Sequence, residues 1–364
     1  MLLHILTPGF TTPNGRAFLF PLIVHRRALA QAGICIRLFD TAAPALTDCD
    51  CLLVDRKFHE PLWPSQEAEI LADFAEWSQR TTTVFCDTSD SAGWLISKLL
   101  PIVDIYAKGQ LMRDRSAYLK PQYAYRAFAD YYHRTLGIVD FEPAWSRPVP
   151  KAALLGKLRI SWHSGLANYS AFGPYRMALY NRLPLAPLLR APTRFTPPSD
   201  SRQQPISCRF GTTYSRASVA AQRWLIRERM AARMPTGKLS RRRYLAELRR
   251  SKVIVSPFGW GEITLKDFEV FLTGGLLFKP DMSGIETWPN LFVDGQTYVA
   301  HRWDLSDFEE RLDAILADYP NWLQIATEGQ ARYACHLISS DAAPLFIEQL
   351  QAVVTSRSAE AARA

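Results

Sequence analysis

Val253-Ile-Val255 is a short apolar β-branched run, ended by Ser256-Pro257 and followed by Phe258-Gly-Trp-Gly261, Glu262 and Lys266. Such a run reads as a buried strand that passes through a glycine-broken loop into a helix. Leu265, Phe268 and Leu272 recur at helical spacing, and the helix is predicted to open at Glu262. Gly274-Gly275 stop it, and Leu276–Phe278 begin the next buried strand. Gly259 and Gly261 allow the backbone to approach a partner closely. Free N–H groups at the positive end of the helix suit a phosphate, and Lys266 adds a fixed positive charge.

The other residues with chemical potential lie at strand ends. Asp87-Thr-Ser-Asp90 follows the predicted strand Thr82–Phe85, and Asp55 and His59 follow the strand Cys51–Val54. In open α/β sheets ligands gather beyond the carboxyl ends of the strands, so these groups face one cleft with the loop Thr7–Arg16. A general base for an acceptor hydroxyl would come from Asp87, Asp90, Asp55 or His59. Asp87 leaves the strand first; Asp90 also fits an Asx turn capping the next helix. Arg209, in a predicted strand Ile206–Phe210, joins Lys266 as a cation for a leaving diphosphate, with Arg216 nearby.

Several motifs are excluded. Gly259-Trp-Gly261 is followed by Thr264 where a dinucleotide fingerprint has its third glycine. Asp48-Cys-Asp50 precedes its strand instead of following it, and no histidine pair has metal-ligand spacing, so no metal site is expected. His163-Ser-Gly165 has Trp162 in place of the glycine that opens a nucleophile elbow. A plainer alternative stays open for the leading segment: Glu262 and Glu269 as helix-surface acids, and the glycines as turn formers.

Residues 240–340 resemble the nucleotide-binding half of GT-B glycosyltransferases, in their spore-coat-maturation and group 1 branches. Glu269 stands five residues before Gly274, where those enzymes carry the glutamate that holds the ribose hydroxyls of the nucleotide-sugar. The earlier glutamate of the widespread motif falls on Gly261, with Glu262 one residue on. The resemblance implies an α/β fold of two Rossmann-like domains facing a cleft, with a C-terminal helix crossing back to the first domain. It implies a nucleotide-sugar as co-substrate, with no other cofactor, and transfer to a glycan or lipid-linked acceptor in bacterial polysaccharide biosynthesis. Asp87, Asp90 and Glu262 are the catalytic candidates. Arg209, Gly259, Gly261, Lys266 and Glu269 are the donor-binding ones. An inverting mechanism would need the base and a retaining one would not. A sugar-nucleotide epimerase and a catalytically degenerate GT-B binding module are the alternatives on the same scaffold.

Length and composition agree with this size of machine. The 364 residues suffice for two cores, with 48% apolar and 21% charged residues. No run of apolar residues is long enough to span a bilayer, and Met1–Leu6 lacks the features of a signal peptide. The six cysteines show no framework spacing, which points to reduced thiols and the cytoplasm. Strand and helix alternate through residues 1–150, and the prolines from Pro184 to Pro205 read as a connecting segment. The expected units are 1–200 on the acceptor side, 201–340 for the nucleotide-sugar, and 341–364 as terminal helix and tail. The net charge of +8 concentrates at Arg223–Arg233 and Lys238–Lys252. It suits phosphates, or peripheral contact of an Arg-rich helix with an anionic membrane face; no basic-aromatic module suggests nucleic acid.

Overall fold

The computed structural model describes residues 1–355. The alanine-rich tail beyond Ser356, expected to fray, lies outside the described residues. In the first half the chain forms β1 (Leu2–Leu6), α1 (Pro13–Val24), α2 (Arg26–Gln31), β2 (Cys35–Phe39), β3 (Cys51–Asp55), α3 (Arg56–His59), α4 (Trp63–Arg80) and β4 (Thr82–Asp87). There follow β5 (Ile105–Lys108), β6 (Gln110–Met112), α5 (Ala127–Leu136), β7 (Leu158–Ile160) and α6 (Gly173–Tyr180). The second half holds β8 (Gln204–Ser207), α7 (Ala217–Met230), α8 (Arg241–Arg250), β9 (Ser251–Val255), α9 (Leu265–Thr273) and β10 (Leu276–Pro280). It closes with β11 (Ile285–Thr287), β12 (Val299–His301), α10 (Phe308–Ala317), α11 (Tyr319–Ile338) and α12 (Ala342–Val354).

Two parallel sheets result, in the orders β2-β1-β3-β4-β5-β7 and β12-β10-β9-β8. Their strands are short apolar runs such as Cys51–Asp55, every residue of which is buried, as a sheet covered by helices on both faces requires. Local chemistry corrects two element boundaries. The loop expected over Thr7–Arg16 ends early: α1 starts at Pro13, because Thr12 Oγ1 accepts from Gly15 N–H at 3.1 Å and proline suits the first helical position. It then breaks at His25, where the backbone leaves the helical region with φ −94° and ψ 9°. The helix expected at Glu262 starts instead at Leu265, because Thr264 and Asp267 form a capping box there.

Several contacts join the two domains besides the covalent link. β6 of the first pairs antiparallel with β11 of the second, Met112 opposite Ile285 and Gln110 opposite Thr287. Asp140 accepts from the Ser218 N–H and Oγ, each at 2.8 Å. α12 crosses back to the first domain, where Gln349 Nε2 donates to the Ile160 carbonyl at 2.6 Å and Phe346 packs on Trp162. Among the described residues no helix is long and apolar enough to cross a membrane.

His163 belongs to the same seam. Its Nδ1 accepts from Gly165 N–H at 3.0 Å, so Nε2 carries the proton donated to the Pro289 carbonyl at 2.9 Å. Burial lowers His163 to about 4, and His59, His301 and His336 are lowered to about 4 for the same reason. The unfolded chain protonates these rings near the ordinary value of about 6.5, while the folded chain does not. The folded state therefore loses stability as pH falls from about 6.5 towards 4. NMR titration is expected to find these rings neutral at about pH 5.5 in the folded protein; a midpoint near about 6.5 would contradict buried neutral rings.

Candidate functional site

The glycine loop after β9 is packed against the first domain. A Cβ placed on Gly261 would lie 1.6 Å from the Asp90 carbonyl oxygen, so only glycine permits this backbone-on-backbone approach. The next residue, Glu262, is fully buried and accepts from Ser91 Oγ and Ala92 N–H, both at 2.9 Å. Burial raises its carboxyl above the ordinary value, and those two donors offset part of the cost. Arg126 Nε donates to the Trp260 carbonyl at 2.6 Å. Gly259 sits beside Thr264, Arg223 and Tyr214. The close partner foreseen for both glycines is thus, at Gly261, the chain's own first domain.

The positive end of α9 is also filled. Asp267 accepts from Thr264 N–H at 2.9 Å and from Ser256 Oγ at 2.6 Å, and Lys279 Nζ lies 3.0 Å from it. An internal carboxylate therefore occupies the place where the sequence suggests a phosphate. Lys266, foreseen beside a diphosphate, turns its ammonium inward to the carbonyls of Arg209 and Val255. Burial lowers it to about 8. Arg209 makes a two-pronged ion pair with Glu247, with Nε to Oε1 and Nη2 to Oε2 both at 3.0 Å.

Glu269 has a different setting. It sits mid-helix, 7% exposed, and Arg241 Nη1 donates to its Oε1 at 2.8 Å. Burial raises its carboxyl, and Arg241 only partly offsets that. The residue lines a cavity of about 870 Å³, the other walls of which come from Asn168–Phe172, residues 190–196, Leu245 and Thr273. Arg176, Arg190, Arg194 and Arg249 rim it, so it is a cationic space with one carboxylate at its inner wall. Arg241 also donates to the carbonyls of Tyr169, Ser170 and Ala171, which fixes the loop opposite Glu269.

The first-domain carboxylates separate into two kinds. Asp87 is the last residue of β4, not a loop residue, and is 2% exposed. Lys108 Nζ is 2.6 Å from its Oδ2, Tyr106 Oη donates to the same oxygen at 2.7 Å, and Arg56 Nη1 is 3.2 Å from Oδ1. Burial alone would raise this carboxyl, but Lys108 and Arg56 outweigh it and hold it well below the ordinary carboxylate range. Asp55 is buried and bonded to Thr7 and Thr88. His59 packs among Phe58, Phe74 and Trp77. Asp90, by contrast, is exposed, and Asn14 Nδ2 donates to its Oδ1 at 2.9 Å. It opens on an interdomain cavity of about 70 Å³ shared with Asn14, Gln110, His163 and Ile263. Phe268, stacked on His163 and Tyr169, stands between this cavity and the one at Glu269.

A third cavity, about 330 Å³, lies on the first domain and is lined by Trp63, Trp94, Tyr125 and Trp145 with Arg56 and Arg147. Arg56 covers the Trp94 ring at 4.7 Å, and the Tyr125 ring lies tilted to it at 5.2 Å. Ala124 and Tyr125 hold left-handed backbone angles, φ 52° and 61°, which are costly for side chains with a Cβ. Lys108, Arg241 and this aromatic group escaped sequence reasoning. Their partners are distant in the chain, and only the arginine run at 241 gave a local signal. Asp50, part of the Asp-x-Asp pattern, accepts from Leu2 N–H at 2.6 Å and so caps a strand. Among the described residues no three His, Cys, Asp or Glu side chains are grouped so as to hold a metal ion.

Two parallel α/β domains with a terminal helix returning to the first are the GT-B architecture. No protein-family model matches the chain, and no curated protein matches it. Solved structures similar to it include the Anabaena protein HepE in complex with UDP-glucose, at 10% identity and a TM-score of 0.42, covering 96% of this chain and 99% of that one. Another is an alpha-glucosyltransferase in complex with UDP-glucose and DNA containing an abasic site, at 10% identity and a TM-score of 0.40, covering 97% and 99%.

The setting of Asp87 gives a prediction. Asp87→Asn leaves the buried Lys108 ammonium without a counter-charge, and should lower unfolding free energy by about 3–5 kcal/mol. Chemical denaturation reads this; an unchanged midpoint would free Asp87 for a purely chemical role.

Proposed function

We propose that the chain transfers a sugar from a nucleotide-sugar donor to a saccharide acceptor, free or lipid-linked, as in surface-polysaccharide assembly. The observation that supports it is one buried carboxylate, Glu269, in the wall of an arginine-rimmed cavity large enough for a nucleotide. A carboxylate accepts from both ribose hydroxyls, and arginines meet diphosphate oxygens with paired donors. Charge building on the leaving diphosphate is then stabilised by Arg190, Arg194 and Arg249 without a metal. Arg209, Lys266 and Glu262 position the surrounding loops and touch neither substrate.

On the acceptor side Asp90 is the general base of this reading, since its carboxylate is exposed and accepts from Asn14. The Trp63, Trp94, Tyr125 and Trp145 pocket would take the apolar face of a pyranose ring, with Arg147 and Glu60 at its polar edge. A second reading has its own support: the glycine loop is closed by Asp90 and the α9 terminus by Asp267. It makes the chain a GT-B binding module that holds a nucleotide without turnover.

Calorimetry with UDP, GDP, CDP and dTDP is expected to find a binder, and Glu269→Ala should weaken it by about 1.5–3 kcal/mol. Equal affinity in a folded variant would remove Glu269 from the site. Mass spectrometry of UDP-, GDP-, CMP- and dTDP-sugars separates the two readings. Transfer or slow hydrolysis, persisting in EDTA, supports the enzyme; binding with no product supports the module.

A further inference from the structure

We propose that α6 and the turn after it form a surface that docks on an anionic lipid bilayer. This inference rests on no assumption about the reaction catalysed. The excursion from Ser170 to Arg190 is tied at its base, where Asn168 Nδ2 donates to the Arg190 carbonyl at 2.6 Å. Its inner side is fixed to the body. A Cβ on Gly173 would lie 2.2 Å from the Asn168 carbonyl, and Met177 and Leu189 are buried.

The outer side is apolar and uncovered. Phe172 is 67% exposed, Tyr175 65%, Leu179 44%, Leu183 52% and Leu185 59%. Phe172, Tyr175, Leu179 and Leu183 follow the three- and four-residue steps of one helix face. A contiguous patch of this kind marks a contact, whereas a lone exposed side chain does not.

Charge selects the partner. Between Glu142 and Asp200 there is no Asp or Glu, although the chain holds 35 of them. The excursion and its flank carry Arg176, Arg182, Arg190 and Arg194, all exposed. α8 adds Arg242 and Arg249, which share a cavity with Phe172 and Tyr175. Inserting aromatic and leucine side chains ringed by arginines suit the boundary between acyl chains and acidic headgroups. The membrane-facing group is thus α6 with α8 beside it, not α8 alone.

The test is co-sedimentation with vesicles of phosphatidylcholine alone and of phosphatidylcholine with phosphatidylglycerol. The protein is expected to pellet with the anionic vesicles only, and less as salt rises. Combined Tyr175→Ser, Leu179→Ser and Leu183→Ser should weaken this partition about tenfold or more, with melting temperature unchanged, because buried apolar area drives insertion. Phe141→Ser, which removes an exposed ring outside the Ser170–Arg190 excursion, should leave it unchanged. Absence of binding, equal binding to neutral vesicles, or equal binding by the triple variant would overturn the proposal. So would light scattering that shows a dimer which the triple variant dissociates, since a second copy would then cover the face.

Discussion

The contact of Gly261 and Glu262 with residues 90–92 sets the geometry of everything around it. A buried carboxylate with no close cation is expensive, and Glu262 is tolerated because Ser91 Oγ and Ala92 N–H point at it from the other domain. The approach at Gly261 is closer than any side chain allows. Together they fix how far the two sheets stand apart, and the β6–β11 ribbon and the returning α12 fix the rotation between them. The interdomain space beside Asp90 is small for that reason, and the larger cavity opens on the far side of Phe268.

Charge is distributed to match. Two buried carboxylates are neutralised in place: Asp87 by Lys108 and Arg56, Asp267 by Lys279. These pairs are costly to desolvate and costly to break, which makes them anchors and poor proton carriers. Arg176, Arg190, Arg194 and Arg249 stand instead around the Glu269 cavity and the α6 surface. A polyanionic ligand and an acidic lipid face would therefore meet the same side of the molecule.

Much of the architecture was legible in the sequence because it is written in local periodicity. β1, β3, β4 and β10 are apolar runs bounded by turn residues, and α12 occupies the expected Ala342–Val354. Glu269 was singled out by the family resemblance, and its place in a cavity wall is what the structure adds. What could not be read depends on contacts far apart in the chain. Glu262 meets Ala92, Arg241 meets Glu269, and Lys108 enters from a neighbouring strand to claim Asp87. Capping chemistry also displaced a boundary, since Thr264 with Asp267 outcompetes Glu262 as the start of α9. The exposure of α6 was hidden for a simpler reason: an apolar stripe at helical spacing looks alike whether it faces the core or the solvent.

Hydrogen–deuterium exchange with and without a saturating nucleoside diphosphate tests the central claim directly, because it reports where the nucleotide sits. Protection is predicted in the peptides that carry Arg241–Leu245, Glu269–Thr273 and residues 168–172 and 190–196. Protection confined to the glycine loop at 256–264, with the Glu269 cavity unchanged, would contradict it.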